Sequence, residues 1–251
     1  MFAEINGDWP THERFILCSC DAAYFDRYFP RFYKTFSEHW RLPIHVHIID
    51  PSVVSLSRLS KMEVSHTWCR TQKQLIDRCV SNFPKHIDEH TRRDWFLATY
   101  YQAKRFIVLG QRMNSDQSVI VADVDCYSQK TPTGKQKESI FKDMAFTTYK
   151  NKLMATFCHF HNGRLAEIRQ MSKDMVKMLE RKHNVGVDQK VIKSVFGALP
   201  YTELPMGEWI RHHDVKSEAD QRAHEQCLVY HEKGTRGKNK PVDITWTNIQ
   251  K

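Results

Sequence analysis

The chain has 251 residues, 41% hydrophobic and 12% aromatic, and carries a net charge of +9, so it has the apolar content to fold, as disordered chains do not, and the length for one large core. No stretch approaches the ~20 apolar residues that span a bilayer, the first residues lack a secretory pattern, and the seven cysteines include no C-x-x-C pair; together these predict a cytoplasmic protein with reduced thiols. The basic charge admits nucleic acid as a ligand, but no zinc-finger spacing, basic heptad region or aromatic RNA-binding signature accompanies it, and a polyanionic small ligand accounts for it as well.

Phe15 to Cys20 reads as a first buried strand, followed by Asp21 and a loop carrying Tyr24. A helix is expected to start near Pro30, where proline suits a first turn, and to pack Tyr33, Phe36 and Trp40 inward. Pro43 to Pro51 is the next strand, with an alternating front half. Met62 to Trp68 suggests a third strand, and Gln72 to Val80 a helix. Thr91-Arg92-Arg93-Asp94 has the form of a capping box, and Phe96, Tyr100, Ala103 and Ile107 then recur at helical spacing.

Ser118 to Tyr127 is the most informative stretch: an apolar, β-branched run that ends in Asp123-Val124-Asp125. In an extended segment, residues i and i+2 point to the same side, so the two carboxylates are expected to converge on one divalent cation. Burying both acids without such a partner would be costly. In open α/β sheets ligands bind beyond the carboxyl ends of the strands, where this pair falls.

Thr131 to Lys135 then reads as an exposed loop. Met144 to Thr148 and Leu153 to Phe160 follow as two strands, and Leu165, Ile168, Met171, Met175 and Met178 form the apolar stripe of a long helix. Asp188 to Phe196 reads as a short helix for which Asp188 suits the N-cap. Leu228 to His231 is a last strand before a run of glycine and basic residues from Lys233 to Lys240. That run offers unobstructed backbone amides and fixed cations to phosphate oxygens. Alternating strands and helices predict an α/β fold with a mostly parallel central sheet in a single domain, its core over residues 13–246.

Five separated pieces occur in an order that resembles nucleotide-sugar glycosyltransferases of the GT-A (Rossmann-like) fold, especially the retaining group that includes glycogenin and the lipopolysaccharide galactosyltransferases. They are Cys20-Asp21-Ala22-Ala23-Tyr24, His47-Ile48-Ile49-Asp50, Asp123-Val124-Asp125, Val187-Asp188-Gln189-Lys190-Val191-Ile192, and His231 to Lys238. The resemblance implies a hexosyltransferase that moves a sugar from a UDP-sugar donor to a glycan, lipid or protein acceptor, with Mn2+ or Mg2+ as cofactor. The metal would be held by Asp123, Asp125 and His231, whose imidazole shifts the preference toward manganese. The donor would meet Cys20, Asp21 and Tyr24 at the uracil, Lys104 or Arg105 from the preceding helix, and Asn162 and Gly163 at the sugar. Gly234 with Lys238, or Lys240 in its place, would meet the diphosphate, and Asp188 and Gln189 would lie nearest the reacting carbon. The final motif departs from the family pattern, with Gly237 at the expected lysine position, and His161 stands where relatives carry asparagine. A nucleotidyltransferase, a basic nucleic-acid-binding module, and a degenerate transferase that binds nucleotide without turnover are the alternatives.

Overall fold

The computed structural model describes residues 4–71, 73–81, 86–150, 152–181, 186–211, 226–232 and 244–246. Its main sheet has eight strands in the order β1 (Asn6–Gly7), β4 (Ser65–Cys69), β3 (Ile44–Ile49), β2 (Arg14–Asp21), β5 (Ser118–Ala122), β8 (Lys152–Phe160), β7 (Ala145–Tyr149) and β9 (Thr202–Pro205). Strands β4, β3, β2 and β5 run parallel, whereas β8 runs antiparallel to both of its neighbours. A three-stranded ribbon, ordered β10 (Ile210–Arg211), β11 (Val229–His231) and β6 (Cys126–Ser128), stands beyond the end of β5.

Strand alternation divides the core. Along β2, Phe15 and Leu17 face one apolar cluster with Phe106 and Ile107 of helix α4 (Glu89–Arg112), Met171 and Met175 of α6 (Leu165–Arg181), and Phe196 of α7 (Val187–Phe196). Ile16, Cys18 and Cys20 face the other cluster, with Phe25, Phe29, Phe32 and Phe36 of α1 (Ala22–Trp40). The methionine stripe of α6 is thus core. Gly110 of α4 allows the close approach of α6, since a Cβ there would meet the Ser172 Cβ at 2.4 Å.

Several boundaries differ from the sequence expectation, each for a local reason. Helix α1 begins straight after β2, capped by the Asp21 carboxylate, which accepts from the Tyr24 amide at 2.7 Å. Pro30 therefore lies inside the helix, where it lacks the N–H that the Asp26 carbonyl would accept. The Trp246 indole supplies the missing donor, its Nε1 donating to Asp26 O at 3.0 Å, and its ring packs on Phe25 and Phe29. Helix α4 is capped by Asp88, three residues ahead of the expected box. The expected loop at Thr131 to Lys135 leads into α5 (Gly134–Phe141), where Thr133 and Gln136 form a capping box. A short helix α2 (Val53–Leu59), capped by Ser52, occupies a region the sequence pattern left blank.

His45 and His47 of β3 point inward. The His45 ring bridges Ser65 and Thr67, both at 2.9 Å, and the His47 ring bridges Thr67 at 2.9 Å and the Cys69 thiol at 3.3 Å. This polar ladder supplies the partners that buried imidazoles require.

Candidate active site

The carboxylates converge through a turn rather than along an extended strand. The Asp123 amide continues the β5–β8 pairing by donating to Thr156 O at 3.0 Å, and the chain then folds back, with the Cys126 amide donating to Asp123 O at 3.0 Å. Strand β6 leaves this turn and pairs antiparallel with β11, which places Cys126 opposite His231 and Tyr127 opposite Tyr230. As a result, His231 Nε2 lies 3.1 Å from Asp125 Oδ1 and 3.5 Å from Asp123 Oδ2. Residues more than a hundred positions apart in sequence thus share one cluster.

Arg105 of α4 approaches the same cluster from beneath. It is 3% exposed, pairs with Asp123 and, at 3.4 Å, with Asp188, and donates to Ala155 O at 3.0 Å. Asp188 is buried in the first turn of α7, and its second oxygen accepts from the Gln189 amide at 2.9 Å. The N-cap is Gly186, at φ 80°, which corrects the capping role expected of Asp188. Gly186 suits this left-handed conformation because it has no Cβ.

Three carboxylates therefore face the Arg105 guanidinium and the His231 imidazole. Burial pushes the Asp123 carboxyl up, to about 6, against the pull of Arg105 and His231. Burial acts to lower His231, but the neighbouring Asp125 and Asp123 carboxylates outweigh it and raise its affinity for a proton. Tyr24 is pushed up to about 12, first by burial and then by the Asp125 charge.

The donor atoms suit a divalent cation. Ligand atoms of Asp125, Cys126 and His231 all lie within 4.8 Å of one another, and Asp123 shares the same imidazole. Hard carboxylate oxygens with one imidazole match manganese or magnesium. The Cys126 thiol was not singled out from sequence, although it directly follows the acidic pair.

Other expected site residues fall elsewhere. Lys104 is fully buried on a different face of α4, near Tyr100, Cys69 and His47, because adjacent helical positions point about 100° apart. It does not share the Arg105 site. Asn162 and Gly163 follow β8 at its far end: Phe157 is paired with Ala122 beside the acidic turn, but Phe160 with Val119, a displacement of about 10 Å at ~3.4 Å per residue. The structure instead brings Ala155 and Thr156, from the middle of that antiparallel strand, against Arg105 and Asp123. Cys20 is packed in the core at 3% exposure, and Asp21 engages one oxygen in capping α1. Asp50, at φ 53°, is structural and holds Thr71 through its amide at 2.7 Å and through its hydroxyl. Gln189 stands in the first turn of α7 beside Asp188. Gly234 and Lys238 lie outside the described residues. Two further side chains border the site without a clear sequence signal, Arg31 of α1 and Glu232 after β11, which form an ion pair.

No family model matches the sequence, and no curated protein matches it. The fold, however, is shared with solved glycosyltransferases. The apo WbbM bifunctional glycosyltransferase superposes with a TM-score of 0.59 at 14% identity, over 91% of this chain and 47% of WbbM, so the chain spans about half of that protein's length. The galactosyltransferase LgtC in complex with donor and acceptor sugar analogs gives 0.52 at 11% identity, over 87% of each chain. An LgtC active-site mutant, glutamine to glutamate, gives 0.53 at 12%, again over 87% of each. The mixed eight-stranded sheet of this chain is thus a GT-A-like architecture.

Proposed function

We propose that the protein is a metal-dependent glycosyltransferase that moves a sugar from a UDP-sugar donor to a glycan, lipid or protein acceptor, with retention at the sugar carbon. The observation that carries this reading is the convergence of Asp123, Asp125 and His231 from two distant segments, with Arg105 and Asp188 beneath them, beyond the carboxyl end of β5. The shared fold with WbbM and with LgtC, a galactosyltransferase solved with donor and acceptor sugar analogs, supports the reaction class. A reducing cytoplasmic setting is part of the proposal, and the seven buried cysteines, all free, support it.

In this reading Asp125, His231 and Asp123 would hold manganese, or magnesium in its place. When bound, the ion supplies positive charge to the leaving diphosphate. The chain's own residues do the rest. Arg105 fixes the Asp123 and Asp188 carboxylates relative to each other, and Tyr24 offers a ring face to the base. Asp188, with one oxygen on Arg105 and one on the Gln189 amide, is suited to stabilise positive charge developing at the sugar carbon. With both oxygens engaged it is less suited to attack that carbon covalently.

Thermal unfolding with UDP, GDP, CDP or ADP, each with and without Mn2+, tests the proposal. Ligand present at ~100 times its dissociation constant adds about 2.7 kcal/mol, a rise of roughly 5–10 °C for a chain of this size. UDP with Mn2+ should give the largest shift. A melting temperature indifferent to every nucleotide removes the donor-binding claim.

A further inference from the structure

We infer that Arg31 and Glu232 form a positioning pair that sets the His231 imidazole against Asp125; the inference rests on the metal site proposed above. Strand β11 is only three residues long, and a strand so short has little stability of its own. Its register is nevertheless what brings His231 to the acidic turn. Three contacts fix that register at the rung beside His231. The Glu232 amide donates to Asp125 O at 3.0 Å, which extends the β6–β11 pairing by one step. The Glu232 carboxylate accepts from Arg31 Nη2, both side chains being largely buried at 12% and 13% exposure. The Arg31 guanidinium in turn lies over the Tyr127 ring, 4.1 Å from its centre, and Tyr127 belongs to β6.

One arginine of α1 therefore grips both strands that carry the cluster. A guanidinium suits this task because it can pair with a carboxylate in its plane while its face rests on an aromatic ring. Lysine could keep the ion pair but not the planar stacking. Their proposed effect on metal binding acts through the position of His231 and through the Asp125 backbone, which accepts from the Glu232 amide. Residues that orient metal ligands in this way typically change metal affinity by about 10–100-fold when replaced.

The test uses Glu232→Gln and Arg31→Lys in the full chain, with two readouts. The first is Mn2+ affinity, followed by the electron paramagnetic resonance of the free ion, with and without UDP. The second needs no metal: iodoacetamide labelling of Cys126, which is 1% exposed and paired across the ribbon with His231, located by mass spectrometry. Glu232→Gln should weaken Mn2+ about 10–100-fold and expose Cys126 to labelling in chains that remain folded, with Arg31→Lys intermediate in both. A lower melting temperature with Mn2+ affinity and Cys126 protection unchanged would reduce the pair to a structural contact and overturn the inference alone. Failure of the wild-type chain to bind Mn2+ would remove the metal site and this inference together.

Discussion

Asp188 is the residue on which binding and chemistry separate. Its contacts are with Arg105 and the Gln189 amide, and the proposed role faces it toward the sugar. Asp188→Asn keeps an acceptor for the Gln189 amide while removing the charge, so UDP affinity should stay within a few-fold. Turnover should fall by two to four powers of ten, about 3–5 kcal/mol in the barrier. Titration calorimetry with UDP and Mn2+ beside a UDP-release assay reads the two quantities; unaltered turnover would leave Asp188 as a buried partner of Arg105 only. At this scale the sequence was informative but incomplete. It named Asp123, Asp125 and His231 together, yet an i, i+2 spacing aligns carboxylates only along an extended chain, whereas here a turn brings them together. It narrowed the helical cation to Lys104 or Arg105, and only the rotation of α4 separates the two.

Helix α1 illustrates what one element needs from another. Pro30 leaves the Asp26 carbonyl without its helical donor, and Trp246 fills that vacancy from the last described segment. Trp246→Phe should cost about 1–2 kcal/mol for the unsatisfied carbonyl, in addition to lost packing. In a Pro30→Ala background the restored amide satisfies Asp26, so the same replacement should cost about 1 kcal/mol less. Urea denaturation of the four proteins checks this, and strictly additive losses would show that the indole does not substitute for the missing amide. Sequence placed the helix start at Pro30 because proline favours first turns; the Asp21 cap, joined to the strand without a loop, made the helix longer. Strand β8 was legible as a strand, but not its direction. Antiparallel pairing with β5 joins partners as far apart in sequence as Val119 and Phe160, and it decides whether the start, middle or end of the strand meets the acidic turn. That direction sets Asn162 and Gly163 beyond the end of β8 that lies away from the acidic turn.

For the whole molecule, the alternation of strands and helices was enough to predict an α/β fold with a mostly parallel sheet. The order of its strands and the ribbon that carries His231 were not, because both depend on long-range pairing. The same sheet buries imidazoles in ways that set the acid limit of the fold. Burial lowers His45 to about 3, His159 to about 4, and His47 well below its ordinary value. The folded chain thus resists protonation that the unfolded chain accepts below ~6.5, so stability is complete above that pH and declines as pH falls toward 4 and 3. At pH 5, His45 and His159 each remove about 2 kcal/mol, and His47 acts in the same direction. Denaturant titrations between pH 5 and 7.5 should show this loss, and His45→Gln should shrink it; equal stability across that range would contradict the assignment.

These histidines stand apart from the acidic turn. His45 packs on Trp9 and Phe15 near the start of β2, and His159 is paired with Ile120, three residues short of Asp123. Acid can therefore disable the protein by two independent routes. If transfer activity fades at a pH where the fold is intact, the decline reports the His231 and carboxylate cluster. If activity and fold vanish together, the decline reports the imidazoles of β3 and β8, and the pH-rate profile carries no information about catalysis.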